Sequence, residues 1–189
     1  FGTSVIALDT ETGERRWHYQ TVKHDVWNYD NPAAPIQLDL NIPGRGLVSA
    51  VAQVTKQGYV YTFDRFTGEP VWPMDYRDVP ASEVPGEKLA TTQPFPTKPP
   101  PFEMQGITED DLIDFTPALR REALEVMANY KMGPLFNPPI HAKNAAGKIS
   151  SAMCPGDGGG ANIYAPPVAD PTTGFLYVPS AHKCSWPRI

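Results

Sequence analysis

This sequence predicts an all-β fold of repeated strand–turn–strand units, interrupted by one helix. Three observations carry that prediction. The frame Asp-x-x-Thr-Gly-x-x-x-Trp runs from Asp9 to Trp17 and returns from Asp64 to Trp72. A partial copy, Asp170-Pro171-Thr172-Thr173-Gly174, has Val178 in place of the tryptophan. Runs rich in β-branched and aromatic residues flank the turns, as strands require. Recurring units of this kind are the signature of propellers, which close with about four to eight blades. Three copies therefore make a portion of a ring, about three blades.

The composition agrees. With 22 prolines, 15 glycines and 41% hydrophobic residues among 189, the chain suits short strands joined by long ordered loops. That length is enough for one domain with a real core. Its 16 basic and 21 acidic residues leave a net charge of −5, which argues against a nucleic-acid partner. No apolar run approaches the about 18 residues of a membrane span, and no secretory leader is visible. The opening Phe1-Gly2-Thr3-Ser4-Val5-Ile6 reads as mid-strand, and Cys184-Ser185-Trp186-Pro187-Arg188-Ile189 ends as abruptly. The expectation is a fragment of a longer protein.

In order, residues 4–20 read as strand, turn, strand, with Gly13 supplying the positive φ of the turn and Asp9 bonding its amides. Ile36, Leu38, Leu40 and Ile42 alternate as on a half-buried strand. Gly44-Arg45-Gly46 turns the chain into a second strand, Leu47–Thr55. Lys56-Gln57-Gly58 then turns tightly into Tyr59–Phe63. Trp17 and Trp72 read as core filling between adjacent sheets. Residues 73–107 are proline-rich, with Phe95 and Phe102 favouring an ordered excursion. Glu109-Asp110-Asp111 suits a short turn. Thr116 caps a helix, Pro117 fits its first turn, and Leu119, Ala123, Val126, Met127 and Tyr130 follow at helical spacing. Such a helix reads as packing, so 73–140 is expected to be an insertion between blades. Cys154 and Cys184 lack metal-site spacing. A disulfide of an oxidising compartment and two separate buried thiols both remain open. The run Pro155-Gly-Asp-Gly-Gly-Gly-Ala-Asn-Ile-Tyr164 lacks the lysine ending of a phosphate loop. Its glycines suit close approach of a flat ligand or of a neighbouring strand, and Asn162 is the side chain it presents.

Chemistry concentrates in Lys23-His24-Asp25-Val26-Trp27-Asn28-Tyr29-Asp30-Asn31-Pro32, between the first two copies of the repeat. His24 and Asp25 have the types of a base and its orienter, or of a loop-stabilising hydrogen bond. Asp25, Asn28 and Asp30 have the types of hard-cation ligands, and Trp27 and Tyr29 those of a wall. Lys56, at a strand end, is placed to meet a carboxylate or quinone oxygen, or else to lie in solvent.

These motifs resemble a known family. Ala7-Leu8-Asp9-Thr10-Glu11-Thr12-Gly13 through Trp17 is similar to the tryptophan-docking motif of quinoprotein propellers. His24-Asp25-Val26-Trp27-Asn28-Tyr29-Asp30 resembles the His-Asp-x-Trp-Asp loop of the pyrroloquinoline quinone (PQQ) dependent dehydrogenases. Thr55-Lys56-Gln57-Gly58-Tyr59 through Asp64-Arg65, and Gly158-Gly159-Gly160-Ala161-Asn162, resemble their lysine and glycine-rich segments. Thr92-Gln93-Pro94-Phe95 and Gly133-Pro134-Leu135-Phe136-Asn137-Pro138-Pro139 are closer to the glucose and quinate branch. The resemblance implies an eight-bladed β-propeller with PQQ and calcium on its axis. It implies oxidation of an alcohol, sugar or polyol hydroxyl in the periplasm, with electrons passed to a quinone or cytochrome. Attachment to the inner membrane would come through segments outside this chain. It also implies that Lys56, Asn28, Trp27 and Asn162 meet the cofactor, and that Asn28 and Asp30 meet the metal. The family's base directly follows the loop tryptophan, where this chain has Asn28, and an amide is no base. Asp30 is the first replacement, with Asp25 and His24 as further catalytic candidates. Ile163 likewise stands where tryptophan is usual. A rival class is a non-catalytic propeller scaffold, similar to outer-membrane assembly lipoproteins, which shares the docking motif but has no need of the loop, the lysine and the glycines together.

Overall fold

The computed structural model describes residues 1–163 and 165–189. Its largest sheet is antiparallel, with order β3–β4–β5, formed by β3 (Ile36–Ile42), β4 (Gly46–Val54) and β5 (Val60–Asp64). Before it stands the hairpin of β1 (Ser4–Leu8) and β2 (Arg15–Gln20), and after it that of β6 (Met74–Asp78) and β7 (Thr92–Pro96). Short pairs complete the chain. β8 (Gly106–Ile107) pairs with β10 (Gly133–Pro134), and β9 (Tyr130–Lys131) runs parallel to β11 (Ser150–Ser151). Finally, β12 (Val168–Ala169) pairs with β13 (Leu176–Tyr177). Among the described residues the elements are mostly strands in small successive sheets, as the expected portion of a propeller requires, with one α-helix, α1 (Pro117–Met127), and a short 3-10 turn at Glu109–Asp111.

The three repeat copies fold into one turn. Gly13, Gly68 and Gly174 donate their amides back to the carbonyls of Asp9, Asp64 and Asp170, each at 2.9 Å. All three glycines have positive φ, the region the turn demands. Each aspartate side chain also collects amides of its own turn, such as Thr12 N–H at 2.9 Å, Thr67 N–H at 2.9 Å and Thr172 N–H at 2.8 Å. Successive copies then lock together. The Trp17 ring lies on Gly68, where an added Cβ would sit 2.6 Å from Trp17 Cδ2. Its Nε1–H donates to the Arg65 carbonyl at 3.0 Å. Trp17 is thus core filling between neighbouring units, whereas Trp72 packs within its own unit, beside Val48, Ala50 and Val71.

The main core joins β1, β4 and β5 to the loop residues Trp27 and Tyr29 and to Phe95, Leu135 and Phe136. The proline-rich stretch is ordered, because β6 and β7 pair across it from Met74↔Pro96 to Asp78↔Thr92. Thr116 Oγ1 accepts from Leu119 N–H and caps α1 as expected. Helical periodicity over-reads the end of α1. The helix stops at Met127, its single buried residue, and Tyr130 leaves to pair with Ser150. Leu119 and Val126 are exposed. Cys154 and Cys184 form a disulfide, which settles the alternative left open by spacing alone.

Candidate functional site

The loop between β2 and β3 divides its residues between core and surface. Trp27 is 1% exposed, and its indole N–H donates to the Asn137 carbonyl at 3.1 Å. The Tyr29 hydroxyl is fully buried and donates to the Pro155 carbonyl at 2.6 Å. Their rings stack on each other, and Phe136 meets both edge-on. Burial pushes the Tyr29 phenol up, so it stays a neutral donor. With alternate residues anchored inward, Asn28 and Asp30 are turned out to the surface. Asn28 adopts φ +60, a conformation that asparagine tolerates better than most residues.

Lys56 crosses to this loop from the turn between β4 and β5. It is 8% exposed, with its ammonium 2.7 Å from Asp30 Oδ1 and 2.9 Å from the Asn28 carbonyl oxygen. Two of its three N–H donors are thereby engaged within the chain. The glycine loop closes against the same turn. Ala161 N–H donates to the Thr55 carbonyl at 3.2 Å, and Gly160, at φ +61, packs directly on the Lys56 backbone. Of the two uses expected for these glycines, close approach to a neighbouring segment is the one seen. Asn162 lies at the end of this loop, with its Nδ2–H donating to the Gly158 carbonyl at 3.3 Å.

A cavity of about 530 Å³ opens where these pieces meet. Asp30, Lys56 and Asn162 line it together. Lys183 and Asp157 line it too, and neither stood out in the sequence. Among the described residues Lys183 makes no ion pair. Its only signal was a lone lysine beside a histidine, which has no chemical specificity.

The other loop candidates lie elsewhere. Asp25 caps the loop, accepting from Trp27 N–H at 2.9 Å and from the Thr3 hydroxyl at 3.2 Å. His24 is exposed at φ +50 and does not line the cavity. Asp25 and His24 are therefore not assembled as base and orienter. Trp27 serves the core rather than the cavity wall. Among the described residues no three of His, Cys, Asp and Glu gather as metal ligands. Toward a metal, Asp30 and Asn28 form only a partial set, and the Asp30 carboxylate already faces an ammonium. The fit to PQQ, a flat tricarboxylate quinone, is better. Lys56, Lys183 and Asn162 line an open cavity and bring N–H donors suited to carboxylate and carbonyl oxygens, beside the carboxylates of Asp30, which is paired with Lys56, and Asp157.

Comparison with known proteins gives the family and the fold. The chain is 31% identical to the quinate/shikimate dehydrogenase (quinone) of Acinetobacter baylyi, over 100% of its own length and 22% of the relative's. It is 34% identical to the glycerol dehydrogenase large subunit of Gluconobacter thailandicus, over 61% of the chain and 16% of the relative. Against the quinoprotein glucose dehydrogenase of Escherichia coli it is 37% identical, over 50% of the chain and 12% of the relative. Among solved structures, the quinohemoprotein alcohol dehydrogenase from Comamonas testosteroni superposes with a TM-score of 0.52 at 22% identity. That match covers 95% of this chain and 20% of the other, and supports the fold. The family model of the PQQ glucose/ethanol/alcohol dehydrogenase β-propeller domain matches residues 1–188, and the chain belongs to that family.

Proposed function

We propose that this chain supplies one wall of the PQQ site in a dehydrogenase that oxidises an alcohol, sugar or polyol hydroxyl. The observation that carries the reading is the convergence of Lys56, Asp30 and Asn162 on one cavity. PQQ, when bound, supplies the quinone carbonyl that accepts hydride from the substrate carbon. Lys56 keeps its third N–H for a cofactor oxygen while the other two hold Asp30 and the Asn28 carbonyl. Asp30 takes the proton of the substrate hydroxyl, because a carboxylate accepts protons and the neighbouring amide of Asn28 does not. Asn162 orients a second cofactor oxygen. Calcium, which takes about six to eight oxygens, would be met in the cavity by Asp30, with its other ligands supplied by the parent protein, because Asn28 does not line the cavity. The acceptor is a quinone or cytochrome, as the names of the quinone-linked and quinohemoprotein relatives suggest. Residence in the periplasm, with an inner-membrane attachment outside this chain, accords with the disulfide, which persists in an oxidising compartment.

The test is dye-linked dehydrogenase activity of the complete parent protein, with and without PQQ and calcium, on a panel of sugars, polyols and alcohols. Activity that requires PQQ supports the reading. Absent turnover, with no shift in melting temperature on adding PQQ, would restore the scaffold reading. Within an active enzyme, Asp30→Ala abolishes turnover while PQQ still binds. Full activity of that variant would remove Asp30 as the base.

A further inference from the structure

Glu103 lies in the proline-rich stretch that the proposed chemistry does not use, yet its side chain is only 8% exposed. A buried carboxylate needs partners, and Glu103 has three. Met104 N–H donates to Oε1 at 2.9 Å, the Ser180 hydroxyl to Oε2 at 3.0 Å, and His182 Nδ1–H to Oε1 at 2.6 Å. Burial pushes this carboxyl up, but the bonds from Met104, His182 and Ser180 outweigh it and hold the group below the usual range.

The placement of those partners gives the cluster a meaning. Pro179, Ser180, Ala181 and Lys183 line the cavity. Glu103 is fixed on the other side to the turn that carries Lys56. Phe102 N–H donates to the Gly58 carbonyl at 2.8 Å, and Gln105 Nε2–H to the Gln57 carbonyl at 2.8 Å. A Cβ on Gly58 would sit 2.8 Å from Glu103 Cβ, so the two backbones are in direct contact. Glu103 therefore bridges the segment bearing Lys183 to the turn bearing Lys56.

We infer that Glu103 is a positioning residue of the cavity, a carboxylate latch that holds the 179–183 wall against the Lys56 turn at the spacing an anionic cofactor requires. The inference rests on the reading of the cavity as a PQQ site. Releasing the latch leaves the main core intact, because Ser180 and His182 are exposed. The wall then spends part of its time displaced, and apparent affinity falls by the fraction still in place.

The test uses the full parent protein and three variants: Glu103→Gln, Ser180→Ala and His182→Gln. His182 has a 77% exposed side chain, so its variant folds even if Glu103→Gln does not. Two properties are read, PQQ affinity by fluorescence titration and hydrogen exchange of the paired Gly160 and Ala181 amides, which bond each other's carbonyls at 3.0 and 2.9 Å. The expected result is about tenfold weaker PQQ binding with faster exchange at both amides, and an unchanged melting temperature of the cofactor-free protein for His182→Gln. Faster exchange with affinity held within about twofold overturns the positioning role and leaves the latch purely structural. Unchanged exchange overturns the latch itself. A wild-type protein that fails to bind PQQ defeats the functional reading instead, while the exchange data still decide whether Glu103 holds the wall.

Discussion

Asp30 and Lys56 show how little of a site depends on a single residue. The ammonium is buried and the carboxylate is largely in water, with side-chain exposures of 10% and 59%. Lys56 is therefore the partner with most to lose. Lys56→Met keeps the length of the side chain but leaves the Asn28 carbonyl and Asp30 without their donor. The expected outcome is loss of PQQ binding with modest change in melting temperature. Undiminished cofactor affinity would move the cofactor contact elsewhere. Tyr29 is the opposite case, a residue of the same loop with a scaffold role. Its single hydroxyl proton goes to the buried Pro155 carbonyl at 2.6 Å, with the Leu135 carbonyl next nearest at 3.2 Å. Tyr29→Phe leaves the Pro155 carbonyl unpaired and should cost about 1–3 kcal/mol in urea unfolding, with turnover per folded molecule unchanged. From residue types alone Trp27 and Tyr29 read as a wall of the site and Asn28 and Asp30 as its ligands. What separates them is which side of the loop meets Phe136 and Asn137, more than a hundred positions downstream in the chain. A local reading has no access to that packing.

At the scale of the element, the repeated turn was the legible part. Its spacing names the glycine, the capping aspartate and the docking tryptophan, because all three act within one unit or between successive ones. The Trp17–Gly68 contact is the joint. Gly68→Ala places a methyl inside the indole and demands positive φ of an L residue, two penalties at one site. A loss of about 2–4 kcal/mol is expected from overpacking and backbone strain together. In a double-mutant cycle with Trp17→Ala the losses should be strongly sub-additive, since both changes break the same contact. Simple additivity would show that Trp17 docks elsewhere. The same turns carry a pH dependence. The Thr12 amide, together with Arg16 and further turn donors, holds Asp9 at about 2, and the Thr172 hydroxyl and amide hold Asp170 at about 2. Both lie below their unfolded value, so their contribution is complete above it and disappears as pH falls toward about 2. Acid unfolding of Asp9→Asn and Asp170→Asn variants should begin from a lower plateau and change less across that interval than in the wild type.

Across the whole molecule the hard part to read was assembly. Glu103 meets its histidine at a sequence separation of 79, and Lys56 meets Asn28 at 28, so the cavity exists only after distant segments close. The helix was predicted from a periodicity that is only partly buried, since Met127 turns inward while Leu119 and Val126 face outward. The disulfide is the one covalent tie across this assembly. It joins Cys154, just before the glycine loop, to Cys184, just after the wall that Glu103 holds, across a separation of 30 residues. Both ends thus reach the cavity, through Asp157 and Gly158 on one side and Lys183 on the other. Closing a loop of that length removes enough unfolded-state entropy to stabilise the fold by about 3–4 kcal/mol. Reduction of the parent protein should therefore lower its denaturation midpoint. It should also weaken PQQ binding more than the loss of stability alone explains, because the two walls lose their shared anchor. A Cys154→Ala, Cys184→Ala double variant should reproduce both effects without reductant. Should the variant keep full cofactor affinity while losing stability, the bond would belong to the scaffold and the spacing of the walls would rest on Gly160, Ala181 and Glu103 alone.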